Sequence, residues 1–228
     1  MSILAVILAM WIAATSAALS QSFINLDFEA ARITGYTPPS INVPIGSALP
    51  GWDAYFFSST VSNQVTQVWY DGISLGGYGI SVNDTNSWLG FTPFQGKFSA
   101  FLFGGSLNVS AMITQTGLVP AGEKTILMDV STFYNFRVTV GGQNLNMVPL
   151  QIYPNYTVYG GDISGFAGQV VTLSITAPPT GLPNAVVLDD IQFSTQPIPE
   201  PTGEALLFLG VCIRGLFPRR LASSCTIK

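Results

Sequence analysis

Any chemistry in this sequence has to proceed without histidine. The 228 residues contain no His, and the two cysteines, Cys212 and Cys225, lie near the C-terminal end. Imidazole general bases, His-dependent Ser or Cys nucleophiles and most zinc sites are thereby removed, and the central region has neither a disulfide framework nor thiol chemistry. Carboxylates and aromatic rings remain. Between residues 21 and 196 ten acids stand against four bases, a net charge of 4 − 10 = −6, which repels phosphate backbones and argues against nucleic acid as a partner. The most telling carboxylates lie in the run Val-Val-Leu-Asp-Asp-Ile-Gln-Phe at 186–193, whose alternation predicts a strand with Val187, Asp189, Ile191 and Phe193 on one side. An ionised Asp189 among apolar neighbours is costly unless a metal ion, a cation or a set of backbone donors compensates it.

Tyr78, Trp88, Phe91 and Phe94 fall in or beside a Gly-containing loop region. Exposed rings of this kind stack on sugar faces, although most aromatics of a β-sandwich are core, as is expected of Trp52 and Trp69 in their strand patterns. Two suitably placed carboxylates would suffice for glycoside hydrolysis, but no pair is marked. Asp71 reads as a turn residue and Asp162 as a cap, so the chain is expected to be non-catalytic. Asn-X-Ser/Thr sequons stand at Asn83, Asn108 and Asn155.

The elements that must position these side chains are strands. Hydrophobic residues make up 48% and charged residues 9%, with 23 Gly and 15 Pro, a composition that supports a sizeable core built from strands and turns. Strand patterns cover Phe23–Ala30, Trp52–Phe57, Val65–Tyr70, Gly79–Val82, Phe98–Phe103, Ser106–Thr114, Thr125–Ser131, Phe136–Val140, Thr157–Tyr159, Gln169–Thr176 and Ala185–Ser194, with one helical turn at Asp162–Gly168. About ten short strands separated by Gly- and Pro-rich turns predict an all-β sandwich over residues 21–194. Residues 1–20 read as a signal peptide, an apolar run followed by small residues. Residues 195–204 form a Pro-rich linker, and 205–228 are a hydrophobic, then basic, tail.

Asn25-Leu-Asp-Phe-Glu29, Leu49-Pro-Gly-Trp52, the stretch 162–169 and Leu188-Asp-Asp-Ile191 together resemble the galactose-binding-like jelly rolls, which include many carbohydrate-binding modules. The resemblance covers about Phe23 to Ser194. It implies a jelly-roll sandwich whose first and last strands lie together, with a structural calcium ion near their junction held by Glu29 and Asp189, and with Asp27 and Asp190 as further ligands. Calcium takes several oxygen ligands and would partner Asp189; backbone donors to Asp189, with Asp190 facing water, are the alternative. For sugar binding, Tyr78, Trp88 and Phe91 are the candidate rings.

After the linker, Pro199-Glu200-Pro201, the apolar run from Ala205 and the pair Arg219–Arg220 resemble the PEP-CTERM sorting signal of Gram-negative bacteria that make exopolysaccharide. That resemblance implies export, processing by an exosortase, and a transient hold in the inner membrane through the tail. Arg214 interrupts the apolar run and leaves Ala205–Ile213, well short of the ~20 residues of a spanning helix. The expectation is an exported envelope or extracellular-matrix protein that binds or resides in exopolysaccharide. The alternatives are a glycan-cleaving enzyme with paired carboxylates and a structural surface protein without a specific ligand.

Overall fold

Runs of β-branched and aromatic residues, broken by Gly, Pro and Asp, become fourteen strands among the described residues. The computed structural model describes residues 21–58, 62–73, 77–87, 90–105, 108–182 and 184–199. The expected signal segment, Trp88, and the tail with Glu200, Pro201, Arg219 and Arg220 lie outside the described residues. The strands are β1 (Ser40–Pro44), β2 (Asp53–Phe57), β3 (Ser62–Val65), β4 (Gln67–Tyr70), β5 (Gly79–Asp84), β6 (Phe98–Gly104) and β7 (Ser110–Leu118), followed by β8 (Thr125–Thr132), β9 (Arg137–Val140), β10 (Gln143–Asn144), β11 (Val148–Ile152), β12 (Thr157–Asp162), β13 (Val170–Ala177) and β14 (Asn184–Ser194). One sheet runs β1-β4-β5-β6-β14-β8-β12-β11, and the other β10-β9-β13-β7-β2-β3. All the pairings are antiparallel except β4 with β5. The chain is an all-β two-sheet sandwich.

The main core lies between the sheets and includes Phe28, Trp52, Ile80, Leu102, Ile113, Met128, Leu173, Ile175 and Leu188. A second, smaller cluster covers the outer face of the larger sheet, where Phe101, Phe103, Ala185 and Val187 pack under Ile73, Phe91 and Phe94. The larger sheet is therefore buried on both faces along β6 and β14, which is why those strands read as nearly continuous apolar runs.

Several expectations need correction. Phe23–Ala30 is not a strand: Asn25 and Phe28 take positive φ values of 51° and 61°, and turns replace the alternation. Asn25 fixes this segment. Its Oδ1 accepts from Ala30 N (2.8 Å), its Nδ2 donates to Pro50 O (3.0 Å), and its carbonyl accepts from Trp52 Nε1 (3.0 Å). The implied neighbourhood of the first and last strands reduces to a contact of this segment with β14, where Ile191 N donates to Leu26 O (3.0 Å). The expected strand Val65–Tyr70 divides into β3 and β4, which belong to different sheets. The short strands β1, β10 and β11 were not expected. Pro44 and Pro149 hide β1 and β11, yet both strands are sheet edges, where a missing N–H leaves no ladder bond broken.

The side assignment around Asp189 also changes. A bulge between Asp189 and Gln192, with Asp190 at φ 44°, breaks the alternation of β14. Asp189 stays with Val187 on the outer face, whereas Ile191 and Phe193 turn to the main core. The helical turn appears as a short 3-10 segment, Ser164–Phe166, preceded by Asp162 Oδ1 accepting from Ser164 N (2.8 Å).

Candidate functional site

Asp189 is buried on the outer face of β14, and its compensation comes from the backbone. Oδ2 accepts from Phe94 N (2.9 Å) and Gln95 N (3.0 Å), and Oδ1 accepts from Asp190 N (2.8 Å). Burial nevertheless dominates and pushes this carboxyl up to about 7, against the lowering by those three donors. Directly opposite in the β14–β8 ladder stands Asp129, also buried, and burial raises its pKa too. Gln95 joins the cluster, donating from Nε2 to Asp190 Oδ2 (2.7 Å) and Asp129 Oδ2 (3.4 Å), while Gln192 Nε2 donates to Asp190 Oδ2 (2.6 Å).

Glu29 meets the same loop from its other end. Its Oε1 accepts from Lys97 N (2.7 Å) and Phe98 N (2.9 Å), and a Cβ on Gly96, at φ 57°, would collide with that carboxylate. Asp27 Oδ1 accepts from Glu29 N (3.2 Å) and caps its own turn. Among the described residues no three acidic side chains converge as a metal cage. Glu29 and Asp189 each accept from backbone N–H groups, and the expected calcium ligands Asp27, Glu29, Asp189 and Asp190 do not come together as one cluster among the described residues. The two carboxylates instead hold the 94–98 loop over the outer face of the sheet.

That loop carries the first ring of an aromatic row. Phe94 stacks on Tyr156 (4.7 Å between centroids, 19° between planes), and Tyr156 stacks on Tyr153 (4.7 Å, 23°). Beside it Phe91 stacks on Phe101 (4.8 Å) and leans against Phe133 (5.8 Å), which is 61% exposed. Two adjoining cavities flank Tyr156 and share Ser131, Asn155 and Tyr156 among their walls. One, of about 350 Å³, also includes Phe91 and Phe94; the other, of about 220 Å³, includes Tyr153 and Thr157. Burial and then Asp129, Tyr153, Asp190 and Asp189 raise the Tyr156 phenol, so it remains a neutral hydrogen-bond donor. Stacked face to face, the rings cover one another's faces, so Tyr156 offers a ligand its edge and polar tip, with Ser131 and Asn155 in the walls of both cavities.

Of the rings singled out in the sequence, Phe91 and Phe94 line this site. Tyr78 does not: it packs on Phe56 of β2 (4.6 Å). Tyr153, Tyr156 and Phe133 were missed. The available signal was Tyr153-Pro-Asn-Tyr156, two tyrosines in a turn between two strands, but Pro149 concealed the first strand and Tyr156 read only as the middle of a sequon. Of the sequons, Asn83 is buried and bonded to Phe91 O (3.1 Å), whereas Asn108 and Asn155 are exposed.

No family model and no curated protein matches the chain. Among solved structures it is similar to a cyclase from Fischerella sp. TAU in complex with 4-(1H-indol-3-yl)butan-2-one, at 18% identity and a TM-score of 0.44 over 80% of this chain and 100% of the other. It is also similar to TmCBM61 in complex with beta-1,4-galactotriose, at 11% identity and a TM-score of 0.44 over 78% of this chain and 100% of the other. A family 11 carbohydrate-binding module from Clostridium thermocellum, in complex with a beta-1,3-1,4-mixed-linked tetrasaccharide, follows at 7% identity and a TM-score of 0.35 over 69% and 96%. The β-sandwich resembles both carbohydrate-binding modules and a cyclase.

Proposed function

We propose that this chain is an exported, non-catalytic glycan-binding protein of a Gram-negative cell envelope or extracellular matrix. Its jelly-roll domain takes a saccharide along the Phe94–Tyr156–Tyr153 row, and its PEP-CTERM tail is processed by an exosortase. The observation that carries the binding function is the stacked row itself, held between two cavities with Ser131 and Asn155 at its edge. Export and processing rest on the residue order Pro199-Glu200-Pro201, apolar run, Arg219–Arg220.

Affinity electrophoresis through gels containing the producing organism's exopolysaccharide tests the binding function. Retardation of the wild-type chain is expected, with Tyr156→Ala moving at the mobility seen in an empty gel and a chelator making no difference. Equal mobility of wild type in loaded and empty gels would leave a structural role, and a cleared zone would establish a glycan-cleaving enzyme. Processing is read separately, as a mass shift that disappears when Glu200 is replaced by Ala.

A further inference from the structure

Beyond the ring row, a cavity of about 460 Å³ opens at the side of the sandwich, where the ends of β8 and β12 approach β9 and β10. Its aromatic walls are Tyr134, Phe136 and Tyr159, with Phe136 edge-on to Tyr159 at 4.9 Å. Asn144 and Asn146 supply amides, and the exposed Arg137, the first residue of β9, is among the lining residues. No acidic residue lines the cavity, and among the described residues Arg137 has no ion-pair partner. None of the domain's four bases has an ion pair among the described residues, so it is its place in the cavity wall, and not its lack of a partner, that marks Arg137.

The walls are built rather than incidental. Asn184 is buried and donates from Nδ2 to Asn135 O (2.8 Å) and to Pro178 O (2.9 Å), tying two walls of the cavity together from behind. Tyr134, 53% exposed, stands at the mouth.

We infer that this cavity is a separate binding site for a carboxylate-bearing sugar, a uronate unit, with Arg137 forking onto the carboxylate. A guanidinium presents two parallel N–H donors that match a carboxylate. A bare inorganic anion would satisfy Arg137 but leave the rings and amides without a role, whereas a uronate offers a face to Tyr134 and hydroxyls to Asn144 and Asn146. The domain's net charge of −6 opposes an anion at long range, but at physiological ionic strength charges beyond about 8 Å are largely screened and the local guanidinium decides.

The test is calorimetric titration of the full chain with trigalacturonate, with galactotriose as the neutral probe and sodium sulfate as competitor. Wild type is expected to bind trigalacturonate, and Arg137→Gln to lose about tenfold or more. Arg137→Lys restores only part, because an ammonium cannot fork, and Tyr134→Ala weakens binding. Tyr156→Ala leaves trigalacturonate binding intact, which separates this site from the ring row and makes failure of one independent of failure of the other. Undiminished binding by Arg137→Gln with its thermal unfolding unchanged would overturn the assignment. So would absence of trigalacturonate binding to wild type, or displacement by sulfate at equal concentration, which would mark a site for simple anions.

Discussion

Asp189 shows how much of a carboxylate's role depends on what its neighbours present. A buried acid at that position, and its need for a partner, were legible in the run 186–193. The partner was not, because three N–H donors come from residues 94, 95 and 190, and two of these are remote in sequence. Asn in place of Asp189 would keep the volume but direct an NH₂ group at one of those donors, so Asp189→Asn is expected to cost about 1–3 kcal/mol. Amide exchange at Phe94 and Gln95 should accelerate more than exchange in β13, on the other sheet. Uniform acceleration across both sheets would refute a local tether, and a rise in melting temperature on adding Ca²⁺ to wild type would show that a metal, rather than the loop backbone, is the intended partner. Tyr156 was hidden for a different reason: nothing local to a Tyr-Pro-Asn-Tyr turn says that a ring from position 94 will lie on it.

At the level of elements, alternation located most strands, since half-buried sheets impose a period of two. It failed where the backbone departs from that period. The bulge at Asp190 cannot be read from Asp-Asp-Ile-Gln, yet it sends Ile191 and Phe193 to the main core while Asp189 stays with Val187 on the outer face, beneath the 94–98 loop. The loop's own geometry depends on Gly96. Its φ of 57° is strained for any other residue except Asn or Asp, and the position of its absent Cβ is taken by the Glu29 carboxylate. Gly96→Ala is therefore expected to lower the unfolding free energy by about 1–3 kcal/mol in urea titration and to weaken saccharide binding by displacing Phe94. Unchanged stability together with unchanged binding would mean that the loop does not set the ring row.

For the whole molecule, the decisive quantity is where its buried acids hold their protons. Burial raises Asp189 to about 7, Asp71 to about 6, and Asp129 in the same direction. Asp71 Oδ1 accepts from Asp84 N (3.0 Å) and Asp84 Oδ2 accepts from Tyr70 OH (2.7 Å), so a second acid pair is enclosed at the start of β4–β5 crossover. In the unfolded chain such carboxyls titrate near 4, so between about pH 4 and 7 the folded state retains protons that the unfolded state has released. Stability from these groups is thus fully present below about pH 4 and declines as pH rises through about 6 and then 7. Asp162, lowered by its hydrogen bonds from Ser164, works the other way and loses its contribution as pH falls. With three raised groups against one lowered, the urea midpoint should be higher at pH 5 than at pH 8, the reverse of a protein held by surface carboxylate pairs. The melting temperature should shift by ~2–4 °C for each kcal/mol involved. Replacing Asp71 and Asp189 together by Asn lowers stability at every pH but should flatten the slope between pH 5 and 8. The slope, not the absolute midpoint, is therefore the diagnostic: a wild-type midpoint that rises toward pH 8, or a double variant with an unaltered slope, would place the titrating protons elsewhere in the molecule.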